Sequence, residues 1–529
     1  MFFTSYEFLL FAGTLLTLYY IVPKKLQWPL LLLASYIFYG LSGIGNLAFI
    51  VATTLITYIC SIVIYKQNDK AEKYLEIHRE ILDKEARKEY KAIEKKKRFY
   101  LLIGSLSLGF GILAVLKYTA FAVNNVNSIL FAFGINKLSV PQLLLPMGIS
   151  FYTFQSMGYL IDVYRSKAKV ETNPAKLALF ISYFPQLIQG PISRFSDLEA
   201  QLIAEHDFDK ENLFRGLIRV LWGYFKKLVI ADRILIPVKT LIDCADEYSG
   251  VYVVLLILFY SIQIYADFTG GIDITIGISE ALGIELKENF KHPFFSKSTK
   301  EYWRRWHITM GTWFSDYIFY PLSVSKPMQK LSKKSRALFG ASVGKRIPVY
   351  IATIITWFLT GLWHGAGWNF IVWGLLNCLV ILVSQELQPL YDKFHSKFPR
   401  LSSSSIYSVF MMTRTFWLMG TIRVLDCYRD VPLTFKMLFS IFNTPNWNVI
   451  FDGSVLLLGI GIADSILVGV GCLIMIVVSA VSEKMDFRKY LFQHTIQACL
   501  MIGLLVISVI VFGAYGIGYD ANQFIYNQF

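Results

Sequence analysis

The feature that most constrains this chain is the length of its uninterrupted apolar runs. Residues 455–481 contain one charge, Asp464, and residues 495–513 contain none. A helix needs ~20 apolar residues to cross the ~30 Å hydrocarbon core of a bilayer, and both runs are that long. A soluble fold could not hide them. Only 17% of the 529 residues are charged and 55% are hydrophobic, whereas a soluble protein carries about 25% charged residues. The expected fold is all-α, a polytopic transmembrane helical protein.

The location of the charge decides its meaning. A formal net charge of +14 would suggest nucleic acid as partner in a soluble protein. Here the cations cluster between apolar blocks, as in short cytoplasmic loops, so the bilayer is the partner and nucleic acid is excluded. The first apolar block, residues 8–22, has no basic stretch before it and no small-residue cleavage site after it. It reads as a retained helix and not a signal peptide. Lys24 and Lys25 then lie on the cytoplasmic side, helices follow near residues 28–39 and 47–65, and the turn at 41–46 falls outside. Residues 66–98 hold twelve Lys/Arg and eight Asp/Glu, with Glu80–Lys84 and Asp83–Arg87 at helical spacing. This stretch reads as a solvated cytoplasmic helix, which puts the N-terminus outside. Residues 323–348 hold seven Lys/Arg and no acid, and 391–400 and 483–489 are the next basic clusters. Spans near 349–363, 370–384, 407–421 and 456–481 alternate between them and leave the C-terminus outside.

The middle third reads differently. Residues 141–164, 181–195 and 266–313 mix apolar residues with Pro, Gly and charges. Broken backbone survives at membrane depth only when buried in protein or lining a water-filled cavity, so chemistry is sought there. No repeat or linker is visible, and 1–529 is expected to be a single domain. The six cysteines, Cys60, Cys244, Cys378, Cys427, Cys472 and Cys499, lack CxxC spacing. They read as packing residues, with no zinc site, other metal or disulfide framework expected.

Seven histidines sort by context. His78, His206, His395 and His494 read as surface residues, and His292 as interfacial. His307 and His364 sit in dense aromatic and glycine sequence. His364 lies in Gly361-Leu362-Trp363-His364-Gly365-Ala366-Gly367-Trp368, sixteen residues after Pro348. At ~1.5 Å per residue that is roughly 24 Å along a helix, past the bilayer midplane from the cytoplasm. An ionisable residue at that depth is a functional candidate by default, while a structural histidine bonded to a carbonyl is the plain alternative. The glycines at 361, 365 and 367 would admit a substrate or a neighbouring helix. His307 closes Trp303-Arg304-Arg305-Trp306-His307. Its tryptophans suit an interfacial belt and its arginines a topology signal, or else the cluster guides an anionic substrate, since Arg pairs well with phosphate. Gln263, Asp267 and Gly270 share a helical face, and Asp267 and Asp273 need cationic partners, with Arg304, Arg305 or the region of Arg194 as candidates. A structural ion-pair role is at least as fitting as catalysis. Gln189-Gly190-Pro191 reads as a helix broken at a Gly-Pro turn, either a re-entrant element lining a cavity or an interfacial turn.

Taken in order, these stretches resemble the membrane-bound O-acyltransferase family, and within it the branch with the membrane subunit of alginate O-acetylation. The resemblance covers roughly residues 8–423. It rests on Leu145-Pro146-Met147-Gly148-Ile149-Ser150-Phe151-Tyr152-Thr153-Phe154, Gln189-Gly190-Pro191 and Gln263-Ile264-Tyr265-Ala266-Asp267-Phe268. It rests further on Glu288-Asn289-Phe290, Tyr302-Trp303-Arg304-Arg305-Trp306-His307-Ile308 and Leu362-Trp363-His364-Gly365. Gly271-Ile272, Gly367 and Asn377-Cys378 depart from the branch's usual residues and bear on the acceptor more than on the chemistry.

The resemblance implies helices ringed around a central pore with re-entrant segments. It places His364 at the family's catalytic histidine and His307 at its second motif histidine. Trp303, Arg304, Arg305, Gln263, Asp267, Trp363, Gln189 and Arg194 become substrate-binding candidates. The implied reaction is O-acyl transfer, with acetyl as the expected group. Its donor is a cytosolic thioester, acetyl-CoA, and no bound cofactor is expected. The acceptor is an extracytoplasmic polysaccharide, reached directly or through a partner acetyltransferase outside the bacterial plasma membrane. Two readings stand against it: a transporter or flippase for a lipid-linked saccharide, and D-alanyl transfer to teichoic acid.

Overall fold

The long apolar runs fold as helices in the computed structural model, which describes residues 3–515; among them there is no strand. Helices satisfy every backbone group internally, as lipid requires. Seven described helices are long and apolar enough to cross a membrane: Asn46–Ile77, Lys84–Ala132, Val251–Ala281, Ile347–His364, Trp368–Glu386, Ile462–Ser482 and Thr495–Phe512. The stretches read as spans at 8–22 and 28–39 are the shorter helices Tyr6–Ile21 and Gln27–Gly40. The stretch at 407–421 is the middle of Ser405–Tyr428, which is not one of the seven. The expected outward C-terminus lies outside the described residues.

Contacts divide the chain into two compact units. One holds the chain up to Leu213 together with Ile278–Leu286, and the other holds Phe214–Gly277 and the chain from Lys287 onward.

In the first unit, the charged stretch 66–98 is not one helix but the ends of two, Asn46–Ile77 and Lys84–Ala132. Asp83 breaks it. Its carboxylate accepts the Ala86 N–H at 2.7 Å, so it caps a new helix instead of pairing along an old one, a role that short acidic side chains favour. The second helix then runs unbroken from charged to apolar sequence over 49 residues. Helix Ile149–Tyr164 is buried on every face from Ile149 to Val163. It starts at Gly148, whose φ of +71° and contact with Leu187 (an added Cβ would lie 2.3 Å from the Leu187 carbonyl oxygen) require glycine. The chain also breaks between Leu187 and Phe195, as the Gly-Pro pair predicts. His206 is not the surface residue expected. It is half-buried, its Nδ1 lies 2.8 Å from the Tyr19 hydroxyl, and Gln27 bonds both its backbone N–H and its carbonyl at 2.9 Å. Burial holds its pKa below the usual value.

In the second unit, the expectation of a broken chain over 266–313 fails in its first third. Val251–Ala281 is one continuous 31-residue helix. Its glycines serve close packing and not a break. Gly270 meets Gly223 and Gly277 meets Gly216, with added Cβ atoms falling within 2.6–2.9 Å of the opposing carbonyl oxygens. Two glycines seven residues apart on each of two antiparallel helices let the backbones touch. The one charge in the run 455–481 is also explained. Asp464 sits in the first turn of Ile462–Ser482 and pairs with Arg233, which in turn donates to the Phe512 carbonyl at the end of Thr495–Phe512. Helix Ile462–Ser482 begins six residues later than the sequence reading, because Gly459 at φ +86° ends a separate short turn, Ser454–Leu458.

Candidate functional site

His364 is the last residue of Ile347–His364, and three residues later Trp368–Glu386 begins. The two helices form a tight hairpin: a Cβ on Gly361 would lie 2.4 Å from the Phe370 carbonyl oxygen, and one on Gly374 2.4 Å from that of Trp357. The glycines at 361 and 365 therefore admit the neighbouring helix, the second of them meeting the Phe370 ring. The hairpin fixes His364 between two indoles, with ring centroids 5.0 Å from Trp363 and 4.5 Å from Trp373. Trp373 continues into an aromatic wall with Trp303 at 5.6 Å and Trp357 beyond.

His307 approaches the same wall, its ring 5.8 Å from Trp363. One indole thus separates the two imidazoles that the sequence singled out. His307 is fully buried and adopts φ 47°, ψ 53° at the start of helix Ile308–Phe314. Such a left-handed conformation costs a non-glycine residue about 1–2 kcal/mol, so the surroundings must enforce it. They do so through two antiparallel backbone hydrogen bonds, Lys291 N–H to Arg305 O and Ile308 N–H to Asn289 O, both at 2.9 Å. The Asn289 side-chain oxygen accepts the Thr309 N–H at 3.1 Å and the Thr309 hydroxyl at 3.0 Å, and lies 3.2 Å from His307 Nδ1. A backbone N–H can only donate, so this atom is the amide oxygen. His307 Nδ1 must then carry the proton, leaving Nε2 as the basic nitrogen of the neutral ring. Burial pushes the imidazole down to about 3, which keeps it neutral across the physiological range.

The other candidates separate. Trp303 lines the wall, and its indole nitrogen has no hydrogen-bond partner among the described residues. Arg304 is exposed. Arg305 pairs with Glu301 at 3.0 Å and with Glu483. Neither reaches the buried carboxylates expected as their partners. Asp267 is paired with Lys227 at 2.6 Å, and Lys227 also holds Asp232 at 2.7 Å. Asp273 is held by Lys226 at 2.5 Å and Arg219 at 2.9 Å, and Arg219 grips Glu288 with two bonds of 2.6 Å. The two adjacent lysines, in the π-helical stretch Phe225–Ala231, serve different carboxylates because neighbouring positions on a helix face different directions. Gln263 is buried, with its side-chain oxygen unpartnered among the described residues. Phe268, beside Asp267, packs edge-on against His307 at 5.0 Å. Gln189 and Arg194 belong to the first unit: Gln189 is fully buried, and Arg194 stands half-buried before helix Phe195–Ile203.

Two histidines held against a tryptophan wall, one at the mouth of a membrane hairpin, can be set beside known proteins. The membrane-bound O-acyltransferase family matches residues 31–425. A probable alginate O-acetylase of Azotobacter vinelandii is 33% identical over 73% of this chain and 69% of its own. This chain belongs to the membrane-bound O-acyltransferase family.

Further relatives widen the picture. A peptidoglycan O-acetyltransferase of Helicobacter pylori is 29% identical over 72% of this chain and 70% of its own. A teichoic acid D-alanyltransferase of Bacillus subtilis is 24% identical over 51% and 65%. The protein is therefore a multi-pass membrane O-acyltransferase, which sets aside the flippase reading. Sequence reasoning missed three features of this O-acyltransferase. Asn289 carries no signal of its own beyond the motif Glu288-Asn289-Phe290. Arg219, Lys226 and Lys227 were unremarked, although two adjacent lysines between apolar residues signal buried partners. Arg423 is buried on Ser405–Tyr428, stacks 3.8 Å over Trp306 and donates to the Tyr302 hydroxyl at 2.6 Å; it thereby braces the residue preceding His307.

Proposed function

We propose that this O-acyltransferase moves an acetyl group from acetyl-CoA in the cytosol to hydroxyls of an extracytoplasmic polysaccharide, directly or through a secreted partner transferase. The observation that carries the reading is His364 at the break between two candidate spans, with His307 across Trp363. Neutral His364 takes the proton from the acceptor hydroxyl as its oxygen attacks the thioester carbonyl. The C–S bond then breaks, and the thiolate leaves with the proton from the imidazolium. Such general-base catalysis contributes typically ~10²–10⁴-fold. In a second form His364 takes the acetyl group itself, as an acyl-imidazole, and passes it on. His307, neutral and fixed by Asn289, orients the donor or meets charge on its carbonyl oxygen through a site water or hydroxyl. Arg304 and Arg305 draw in the donor's phosphates.

Acetyl transfer and a polysaccharide acceptor are supported by the names of the alginate and peptidoglycan relatives. The D-alanyltransferases match less of the chain at lower identity, which leaves that reading second. We place the enzyme in a bacterial plasma membrane with its N-terminus outside and its helices around a pore with re-entrant segments. The donor enters at the basic face, residues 323–348.

Acetylation of exported polymer by His364→Gln protein, inserted at normal level, is the test. An amide keeps a hydrogen bond but is no base, so the rate should fall roughly two to four orders of magnitude. Retention of more than about a tenth of the rate rules out both forms of the chemistry. A structural histidine would instead show lost protein and proportionate loss of activity.

A further inference from the structure

The basic segment that precedes the His364 hairpin carries more than charge. Helix Lys326–Gly344 is two pieces, and Gly340 at φ +78° turns the chain back between them. The return packs on the helix it leaves. A Cβ on Gly344 would lie 2.4 Å from the Arg336 Cα, and Ser335 Oγ lies 3.0 Å from the Gly344 carbonyl oxygen. Three residues later Ile347 opens the candidate span Ile347–His364. The span therefore departs from the Ser335 side of the helix.

At ~100° per residue, positions 326–339 divide into two faces. Met328, Leu331, Leu338 and Phe339 fall in one stripe around Ser335, while Lys326, Lys330 and Lys333 lie opposite. Lys334 and Arg336 flank the stripe, one on each side. Met328 and Leu331 are half-buried, but Leu338 and Phe339 at the end of the stripe are 65% and 59% exposed, and Val343 in the return is 49% exposed. No described residue covers this apolar tip. The cations are uncovered too. Lys326, Lys330, Lys333, Lys334, Arg336 and Lys345 form no ion pair among the described residues, whereas Arg346 is held by Glu386. Residues 323–348 contain no acid that could serve them.

We propose that residues 326–339 lie in the membrane interface and bind the phosphates of anionic phospholipids through Lys334 and Arg336. A helix with an apolar stripe and a cationic face settles in the plane where headgroups meet acyl chains. Here the stripe lies on the side from which the span departs, so Leu338, Phe339 and Val343 enter the acyl boundary. Lys334 and Arg336, at the edges of the stripe, then stand at headgroup level. A choline or ethanolamine headgroup brings its own positive charge, so unpaired cations select a lipid with net negative charge. Lys326, Lys330 and Lys333 point to water, where they remain open to the donor's phosphates. The inference goes beyond the acyl-transfer reading and holds whichever group is transferred.

The test is amide hydrogen exchange over residues 326–339 in purified full-length protein held in nanodiscs. One set of discs is phosphatidylcholine alone, and the other mixes it with phosphatidylglycerol. Exchange should be about tenfold slower or more in the mixed discs, since each cation near an anionic surface contributes roughly fivefold to binding. Molar salt should remove the difference. Lys334→Gln with Arg336→Gln should lose most of the slowing, and Lys326→Gln with Lys333→Gln should keep it. Phe339→Ser should exchange faster in both kinds of disc. Equal rates in the two kinds of disc overturn the proposal, as does slowing that survives Lys334→Gln with Arg336→Gln. Equal loss in both double variants would also overturn it, leaving only attraction by net charge. Inorganic phosphate or coenzyme A that slows exchange as much in phosphatidylcholine discs would give these cations to a soluble ligand instead. Nanodiscs expose both faces, so the outcome is independent of orientation, and failure here leaves the His364 chemistry standing.

Discussion

Replacing Asn289 with Asp changes one atom pair and isolates the link between this residue and His307. The carboxylate oxygen can still accept the Thr309 N–H, the Thr309 hydroxyl and the His307 Nδ1–H, so the fold should survive. What changes is charge. A carboxylate at the 3.2 Å separation seen for Asn289 and His307 attracts an imidazolium by about 5 kcal/mol at an effective dielectric of ~20. At ~1.4 kcal/mol per pKa unit this is worth nearly four units. The His307 imidazole, pushed down to about 3 by burial, would rise to roughly 6–7. In the parent enzyme His307 is neutral throughout the working range and contributes no limb to the pH–rate profile between about 5 and 9. In Asn289→Asp a new acid limb should appear near neutrality, with activity falling below it as His307 gains a proton. The sign for stability follows. A buried histidine with a depressed pKa leaves the fold at full stability above ~6.5 and destabilises it as pH falls from ~6.5 towards the folded value. The parent should therefore lose about 2 kcal/mol between pH 6.5 and 5 from this group, and the variant should lose less. The assay is thioester consumption in proteoliposomes across pH, with melting temperatures measured in parallel. A variant profile that superimposes on the parent's, in folded protein, would refute the assigned proton on Nδ1 and the orienting role of Asn289.

Lys227→Met removes the cation that Asp232 and Asp267 share inside the protein and should destabilise by roughly 3–5 kcal/mol, read as a lower melting temperature. Adding Asp267→Asn should recover part of that, and no recovery would disprove the pairing. Arg304→Ala should raise the KM for donor, with the gap from parent shrinking as salt rises, because screening weakens an exposed attraction; Arg305→Ala should also loosen the contact with Glu483. A donor dependence unchanged at every salt concentration would reassign both arginines to topology. Cysteines placed at Lys95 and Lys333 should stay unlabelled by impermeant reagents in intact cells, and labelling at Lys333 from outside would reverse the proposed orientation.

Helix identity was legible where one property dominated a long stretch. Nothing but a helix accommodates the uncharged run 495–513, and the described helix Thr495–Phe512 departs from it by a single residue. Where two properties compete, the sequence misleads. Gly270 and Gly277 look like breaks, yet their partners Gly223 and Gly216 lie 47 and 61 positions away, and only the folded pair shows that the glycines permit contact. Asp83 looks like an ion-pair partner of Arg87 because helical spacing was assumed to continue, and a cap and an i,i+4 pair use the same residue types. The site divides along the same line. His307 and His364 stood out because ionisable residues in apolar aromatic sequence are costly anywhere. The residues that hold them did not, since Asn289 acts through its position beside a left-handed His307, and no linear pattern encodes that geometry. The carboxylates were found and their partners misassigned for a related reason. Arg304 and Arg305 are adjacent on a short helix ending at Arg305, so one faces outward while the other meets Glu301 a turn away. Lys226 and Lys227 reach different carboxylates because neighbouring positions on a helix point in different directions, Lys226 towards Asp273 and Lys227 towards Asp232 and Asp267. A buried charge pair is thus set by which helix faces the fold brings together, and those faces are what a linear reading passes over.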